Sequence, residues 1–323
     1  MKRCLILAVV LLSGVFNAAI APAATYPERP IRLVVPYPPG GTADLLARLV
    51  GAKLSDALKQ SIAVDNRGGA GGNIAAEHVA RSAPDGYTLL FGNVAVFSIN
   101  PALYKTIPFD PIKDFAPVSL VATVPQMLLV HPSLPVNSVA ELIQFAKARP
   151  GKIDYASGGI GSLTQLSVEL LKTAANIDVV HVPFKGSGAA LAAIAAGHVS
   201  VMIENIPTAM PFVKSGKLRA LAVTTSQRSP LADRLPTIAE SGFPGYDLSA
   251  WFGVQVPAGT SREIVSKLNA EIVRVIQEPE TKNRLAGLGA DPVTNSPEQF
   301  AAFIKSELAK WAKIVKDSGA TAD

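Results

Sequence analysis

The sequence has one cysteine in 323 residues, four histidines, and little charge or aromatic character: 17% charged and 6% aromatic side chains. One thiol excludes a disulfide scaffold and a cysteine-ligated metal cluster. His78, His131, His181 and His198 are far apart and lack metal-ligand spacing, so no metal is expected. A charged fraction below the usual quarter excludes a coiled coil. Lys and Arg are scattered, without a basic stripe or interleaved aromatics, which excludes a nucleic-acid binder. Nucleotide and nucleophile motifs are missing as well. Ile74 and Thr164 stand where G-x-G-x-x-G needs its third glycine, and Ile153 and Leu218 follow the Gly-Lys pairs that a Walker loop needs. Ser187 has Lys185 two residues before it, not the glycine of G-x-S-x-G. No cofactor is expected.

What is present is apolar and heavily punctuated: 49% hydrophobic residues, 25 Gly and 25 Pro. That apolar content excludes a disordered chain, and the length fits two domains. Residues 1–23 read as a secretory leader. Lys2 and Arg3 precede an unbroken apolar run from Cys4 to Leu12, and Ala21-Pro22-Ala23 supplies the small residues of a cleavage site. The run is too short for a membrane anchor and is interrupted by Ser13, Gly14 and Asn17. Cys4 opens the run rather than following it, and is not placed to carry a lipid. Cleavage near Ala23 leaves 300 of the 323 residues, none of them cysteine, and lowers the net charge from +5 to +3. The expected destination is the periplasm, as a protein without a membrane span.

Short β-branched runs alternate with helix-length stretches. Strands are expected at 31–35, 62–64 and 88–91, with helices over 42–58 and 73–83. Leu45, Leu46, Leu49 and Leu54 mark the buried side of the first helix. This rhythm implies a parallel sheet. The run 118–131 is broken by Pro125 and reads as two strands meeting at a hinge. The rhythm then restarts, with a helix from the Ser138/Glu141 capping box, strands at 152–156, 179–182, 199–203 and 218–224, and helices over 163–174 and 189–196. After a turn-rich passage, a strand is expected at 251–256. Thr260/Glu263 and Ser296-Pro297 open two tail helices. Two α/β units followed by a tail imply two lobes: 24–124 with 251–323, and 125–250. The crossings fall near Pro125 and Trp251, and a ligand site falls in the cleft.

Three glycine-rich loops follow strands and open helices: PYPPGGTAD (36–44), SGGIGS (157–162) and FKGSG (184–188). Glycine permits close backbone approach, and helix N-termini present free N–H groups and a positive dipole end, so together they make an anion site. The cluster NRGGAGG (66–72) reads as close packing at a helix start. Spacing pairs no two of Asp44, Glu77, Glu169 and Glu204. Glu204-Asn205 ends a strand before Pro207 starts a helix, a position from which it can face the cleft.

Taken in order, YPERPIRLVVPYPPGGTADLLAR (26–48), APDGYTLLFGN (83–93), FDPIKDFAPVSLV (109–121), HPSLPVNSVAELI (131–143), VHVPFKGSGAAL (180–191), SGKLRALAVT (215–224) and WFGVQVPAGT (251–260) are diagnostic. The chain resembles the Bug-type extracytoplasmic solute receptors, the substrate-binding components of tripartite tricarboxylate transporters. It departs from that pattern at Arg67-Gly68-Gly69, where the family has Arg-Pro-Gly, and at Ile203-Glu204, where the family has Phe-Asp. The resemblance implies a two-lobed, periplasmic-binding-protein-like flytrap of type II, with a parallel-rich sheet in each lobe, closing on a small organic carboxylate. It implies a carboxylate held largely by backbone N–H groups of the first two loops: Gly40, Gly41, Thr42 and Asp44, then Ser157, Gly158, Gly159 and Ser162. Lys185, Gly186 and Ser187 fall in the third loop. Asn93, Asn205 and Trp251 fall toward the distal part of the ligand. The implied partners are the ligand and the membrane permease subunits. The receptor itself is expected to be a monomer that performs no chemistry. The rivals are an orphan receptor signalling to a sensor protein and a secreted hydrolase in the same cleft. The hydrolase requires a nucleophile–base pair, with His131 or His181 in hydrogen-bond reach of a cleft serine.

Overall fold

The computed structural model describes residues 26–318, 320 and 322. The expected leader, with Cys4 and Ala21-Pro22-Ala23, lies outside the described residues. Strand β1 (Ile31–Val35) lies between β2 (Ile62–Asn66) and β3 (Thr88–Asn93), parallel to both. Leu33, Val34 and Val35 are buried in succession, as in a parallel strand covered on both faces. Helices α1 (Thr42–Leu58) and α2 (Asn73–Ala80) make the crossovers. Leu46, Leu49, Val50 and Leu54 form the buried stripe of α1. Leu45, expected on that side, is 37% exposed because the helical period carries it one step off the stripe. After β3 come a π-helical turn (Ala95–Ile99) and α3 (Asn100–Leu103).

The run through Pro125 is not two strands but one 16-residue strand, β4 (Phe115–Val130). From Phe115 to Pro125 it runs antiparallel to β9 (Ser249–Pro257). From about Gln126 onward it runs antiparallel to β7 (Val201–Asn205) and β8 (Arg219–Val223). Pro125, which has no N–H to donate, falls where one set of partners hands over to the other. On one side of this handover, β1, β2, β3 and β9 extend the sheet, with the short β10 (Asp291–Pro292) on β4. On the other, β5 (Ile153–Ser157) lies parallel to both β6 (Val179–Pro183) and β7. The result is a two-lobed α/β molecule whose lobes share β4.

Helix α4 (Val139–Lys147) starts as expected, with Glu141 N–H donating to Ser138 Oγ at 3.2 Å. Helices α5 (Leu163–Ala175), α6 (Ser187–Ala195) and α7 (Ile206–Lys214) follow β5, β6 and β7. The cap of α8 (Arg262–Gln277) is Ser261, one residue later than expected, accepting from Ile264 N–H at 3.3 Å. Thr260 instead donates its hydroxyl to Pro257 O at 2.8 Å. Helix α9 (Pro279–Leu288) has only Thr281 and Leu285 buried, so no apolar stripe announces it. The last helix, α10 (Pro297–Ser318), buries Phe300, Ile304, Trp311 and Val315. Its Glu307 Oε2 accepts from both Trp251 Nε1 (3.1 Å) and Trp311 Nε1 (3.0 Å), which ties β9 to the tail helix. Among the described residues, no helix is long and apolar enough to cross a membrane.

Candidate functional site

Helices α1, α6 and α7, like α2, α3 and α9, begin without a side-chain cap. The N-cap residues of α1, α6 and α7 are Gly41, Gly186 and Asn205, and no side chain of theirs accepts from the first turn. First-turn N–H groups have no partner inside the helix, so these starts keep donors to offer. By contrast, Ser138, Ser162 and Ser261 cap α4, α5 and α8. The starts of α1, α6 and α7 converge: Gly41, Thr42 and Ala43 of α1, Ser187 of α6 and Asn205 before α7 line one cavity of about 60 Å³. Ser162, Leu163 and Thr164 at the start of α5, with Asn93 and Val94 after β3, line it too. Tyr37, Pro38, Gly158, Ala250 and Phe252 complete the wall. Among the described residues, no ionised side chain lines it. Several positive dipole ends facing one uncharged enclosure suit an anion.

A wider cavity of about 820 Å³ adjoins the first and shares Tyr37, Pro38, Gly158 and Ser162 with it. Gly159, Lys185, Gly186 and the fourth glycine cluster line it. A Cβ on Gly68 would meet Pro38 Cδ at 2.8 Å, so that cluster presses against the first loop, the close packing expected of it. Across the inner cavity, Asn205 Nδ2 donates to Thr42 Oγ1 at 3.2 Å, and the Thr42 and Thr208 hydroxyls lie 3.3 Å apart.

The expected ligand residues divide by position. Gly41, Thr42, Asn93, Gly158, Ser162, Ser187 and Asn205 line the inner cavity, and Gly159, Lys185 and Gly186 the outer one. Gly40, Asp44, Ser157 and Trp251 line neither. Asp44 Oδ2 accepts from Gly40 N–H at 3.1 Å, and Oδ1 lies 2.9 Å from an Arg48 guanidinium nitrogen. Burial pushes this carboxyl up, but the Arg48 and Gly40 bonds outweigh it and hold it below the ordinary carboxylate range. Trp251 sits among Phe97, Phe300 and Phe303, with centroids 6.4, 5.8 and 5.6 Å away. Side chains alternate along a strand, so its neighbours Ala250 and Phe252 reach the cavity instead.

Residues 46–320 match the profile of the tripartite tricarboxylate transporter family receptor, TctC. The chain belongs to the TctC receptor family. The protein BugT of Bordetella pertussis is 40% identical over 323 residues, spanning 99% of this chain and 98% of BugT. The solved structure of R. palustris Rpa4515 with adipate is 42% identical at a TM-score of 0.90, covering 92% of this chain and 99% of that one. MatC from Rhodopseudomonas palustris with bound malate is 35% identical at a TM-score of 0.86, covering 90% and 100%. The fold is thus the periplasmic-binding-protein-like α/β fold that the resemblance implied.

In this TctC receptor the contact that would mark a hydrolase does occur: His181 Nε2 lies 2.6 Å from Ser157 Oγ. Its surroundings give it another role. Ser157 is 0% exposed, and its Oγ accepts from Gly159 N–H at 3.1 Å. Gly161 N–H donates to Gln165 Oε1 at 2.9 Å, which turns Gln165 Nε2 toward His181 Nδ1 at 3.4 Å. His181 Nδ1 is therefore the acceptor, and Nε2–H donates to Ser157. No carboxylate stands at Nδ1 to complete a triad. The imidazole, stacked on Tyr155 at 4.8 Å, grips both ends of the second loop from behind. Burial pushes its pKa down, Glu169 opposes this and Lys172 adds to it, so the ring is held neutral. His131 Nδ1 meets Ser133 Oγ at 2.7 Å, and neither residue lines either cavity.

The residue reading missed Tyr37, Val94, Thr164 and Phe252. Thr164 Oγ1 accepts from Gly158 N–H at 2.9 Å, and Asn93 Nδ2 donates to Tyr37 Oη at 3.2 Å. A threonine in the first turn after a glycine loop was the available signal for Thr164.

Proposed function

We propose that this TctC receptor captures a small organic carboxylate in the cleft between its lobes and delivers it to the membrane permease of a tripartite tricarboxylate-type transporter. The observation that carries this reading is the convergence of the uncapped α1, α6 and α7 starts, together with the Ser162-capped start of α5, on one uncharged cavity. In this reading the inner cavity takes the ligand's carboxylate on backbone N–H groups of Gly41 to Ala43, with Gly158, Ser162, Ser187, Asn93 and Asn205 completing the enclosure. Gly40, Asp44 and Ser157 shape the loops, while Trp251 backs the crossing strand. The rest of the ligand extends toward Gly159, Lys185 and Gly186. Adipate and malate in two relatives support the ligand class. Charge-assisted hydrogen bonds contribute about 1.5–3 kcal/mol each. Two or three of them, with lobe closure, reach roughly micromolar affinity.

The receptor works in the periplasm as a monomer after its leader is cleaved near Ala23. Its lobes are 24–124 with 251–323, and 125–250, and they rotate about the crossings near Pro125 and Trp251. No chemistry is done on the ligand, a reading supported by the burial of Ser157. Titration calorimetry against C3–C6 carboxylates, amino acids and aromatic acids tests capture. At least one carboxylate binds at roughly micromolar Kd, and silence across the panel contradicts the proposal.

A further inference from the structure

Beside the inner cavity lies a carboxyl group for which anion capture has no use. Glu204 ends β7 and is 0% exposed. Its Oε1 accepts from Asn205 N–H at 2.9 Å and from the Thr208 hydroxyl at 3.0 Å. Its Oε2 is equally buried and has no hydrogen-bond partner among the described residues. The Ser187 hydroxyl bears on the same carboxyl group. Ser187 and Asn205 line the inner cavity, and Thr208 reaches Thr42 on its far wall. The groups acting on Glu204, from α6, from α7 and from its own strand end, are all neutral. Among the described residues, no positive charge offsets its ionised form.

We propose that capture is proton-coupled: as an ionised ligand carboxylate docks on the helix starts, one proton from solution is taken up by Glu204. The inference rests on the carboxylate reading of the site. A buried, uncompensated carboxylate is costly, and a second anion brought close to it in a poorly polarisable interior adds like-charge repulsion. Two carboxyl groups so placed do not both stay ionised. The ligand's carboxylate has helix-start N–H groups to hold its charge, whereas Glu204 Oε2 has none, so the proton goes to Glu204. No bond other than this O–H forms and no other breaks. Burial already pushes the Glu204 carboxyl up to about 6, and docking has to raise it above about 8 for uptake to approach one proton near about pH 7.5.

The direction follows. Below about pH 6, Glu204 is neutral with or without ligand, and affinity is flat as long as the ligand stays ionised, above about pH 4–5. At higher pH, binding consumes a proton and affinity falls by up to about tenfold per pH unit until the bound-state pKa is passed.

The test is calorimetry of the mature chain with adipate (or, if adipate gives no heat, the tightest acid of the panel above) in buffers of differing ionisation enthalpy. Wild type takes up close to one proton near about pH 7.5 and loses about tenfold or more in affinity between about pH 6 and 8. Glu204→Gln, which resembles the protonated acid, takes up none and holds its affinity within about twofold over that range. A wild type that binds without proton uptake overturns the coupling, and that measurement needs no variant. Uptake retained in Glu204→Gln overturns the assignment to this residue. If no acid of the panel binds at any pH, the carboxylate reading itself fails.

Discussion

His181 shows how one buried side chain can govern a backbone loop. Its two nitrogens reach Ser157 at 2.6 Å and the Gln165 amide at 3.4 Å, and through them Gly159 and Gly161. A proton added at Nδ1 would face a donor, and Gln165 would have to release Gly161 to turn. A base whose folded-state pKa is lowered contributes stability above its ordinary pKa, about 6.5, that is lost as pH falls below it. His181→Ala is expected to cost about 1–3 kcal/mol of stability in denaturant unfolding and to weaken carboxylate binding about tenfold. Unchanged binding in that variant would show that the second loop holds its shape unaided. The sequence displayed His181 as a strand end but not its partner. The β5–β6 register opposes it to Tyr155, and Ser157 lies diagonally across that ladder. Register depends on the whole sheet, so a pairing across 24 residues is not written locally. Glu204 was legible as a strand-end acid, while its burial became visible only with α6 and α7 in place.

In the proposed site, the starts of the helices do more than any single side chain. The glycine loops announced them, because strand, glycines and helix in succession form a local pattern. The serine caps were equally local: Ser138 stood where expected, and the shift from Thr260 to Ser261 reflects two adjacent residues with the same capping chemistry. Helix α9 left no such mark, since a helix with two buried residues has no apolar period. Gly41 offers a direct test of the bare helix start. Its φ is −91°, and a Cβ there would meet only Ser187 Cβ at 3.9 Å, so a larger residue fits the backbone without strain. Gly41→Asp supplies a fixed carboxylate cap to α1. Stability is expected to hold or rise by up to about 1 kcal/mol, while carboxylate binding falls about a hundredfold or more. Melting curves and calorimetry read the two effects separately. Normal binding in Gly41→Asp would mean that the α1 start does not hold the ligand.

At the scale of the molecule, β4 runs through both halves of the sheet, and β9 pairs with β3 and with β4 as far as Pro125. The sequence reading set the expected crossings near Pro125 and Trp251, and split β4 in two because proline usually ends a strand. In the molecule Pro125 marks a change of partners within one strand. Parallel pairing within each lobe was legible from the strand–helix rhythm, whereas the antiparallel β3–β9 and β4–β9 ladders join residues far apart in sequence and had no local signature. This arrangement sets α1 across the inner cavity from α5, α6 and α7, so in the proposed function ligand capture and lobe closure draw on the same contacts. The measurement that bears most directly on capture is a crystal structure of the receptor with its tightest-binding acid. It is expected to show one carboxylate in the inner cavity, within hydrogen-bond distance of N–H groups at the α1 start and of the facing helix starts, with the remainder of the acid directed toward Lys185. A carboxylate anchored on Lys185 or another cationic side chain, with the helix starts untouched, would contradict it.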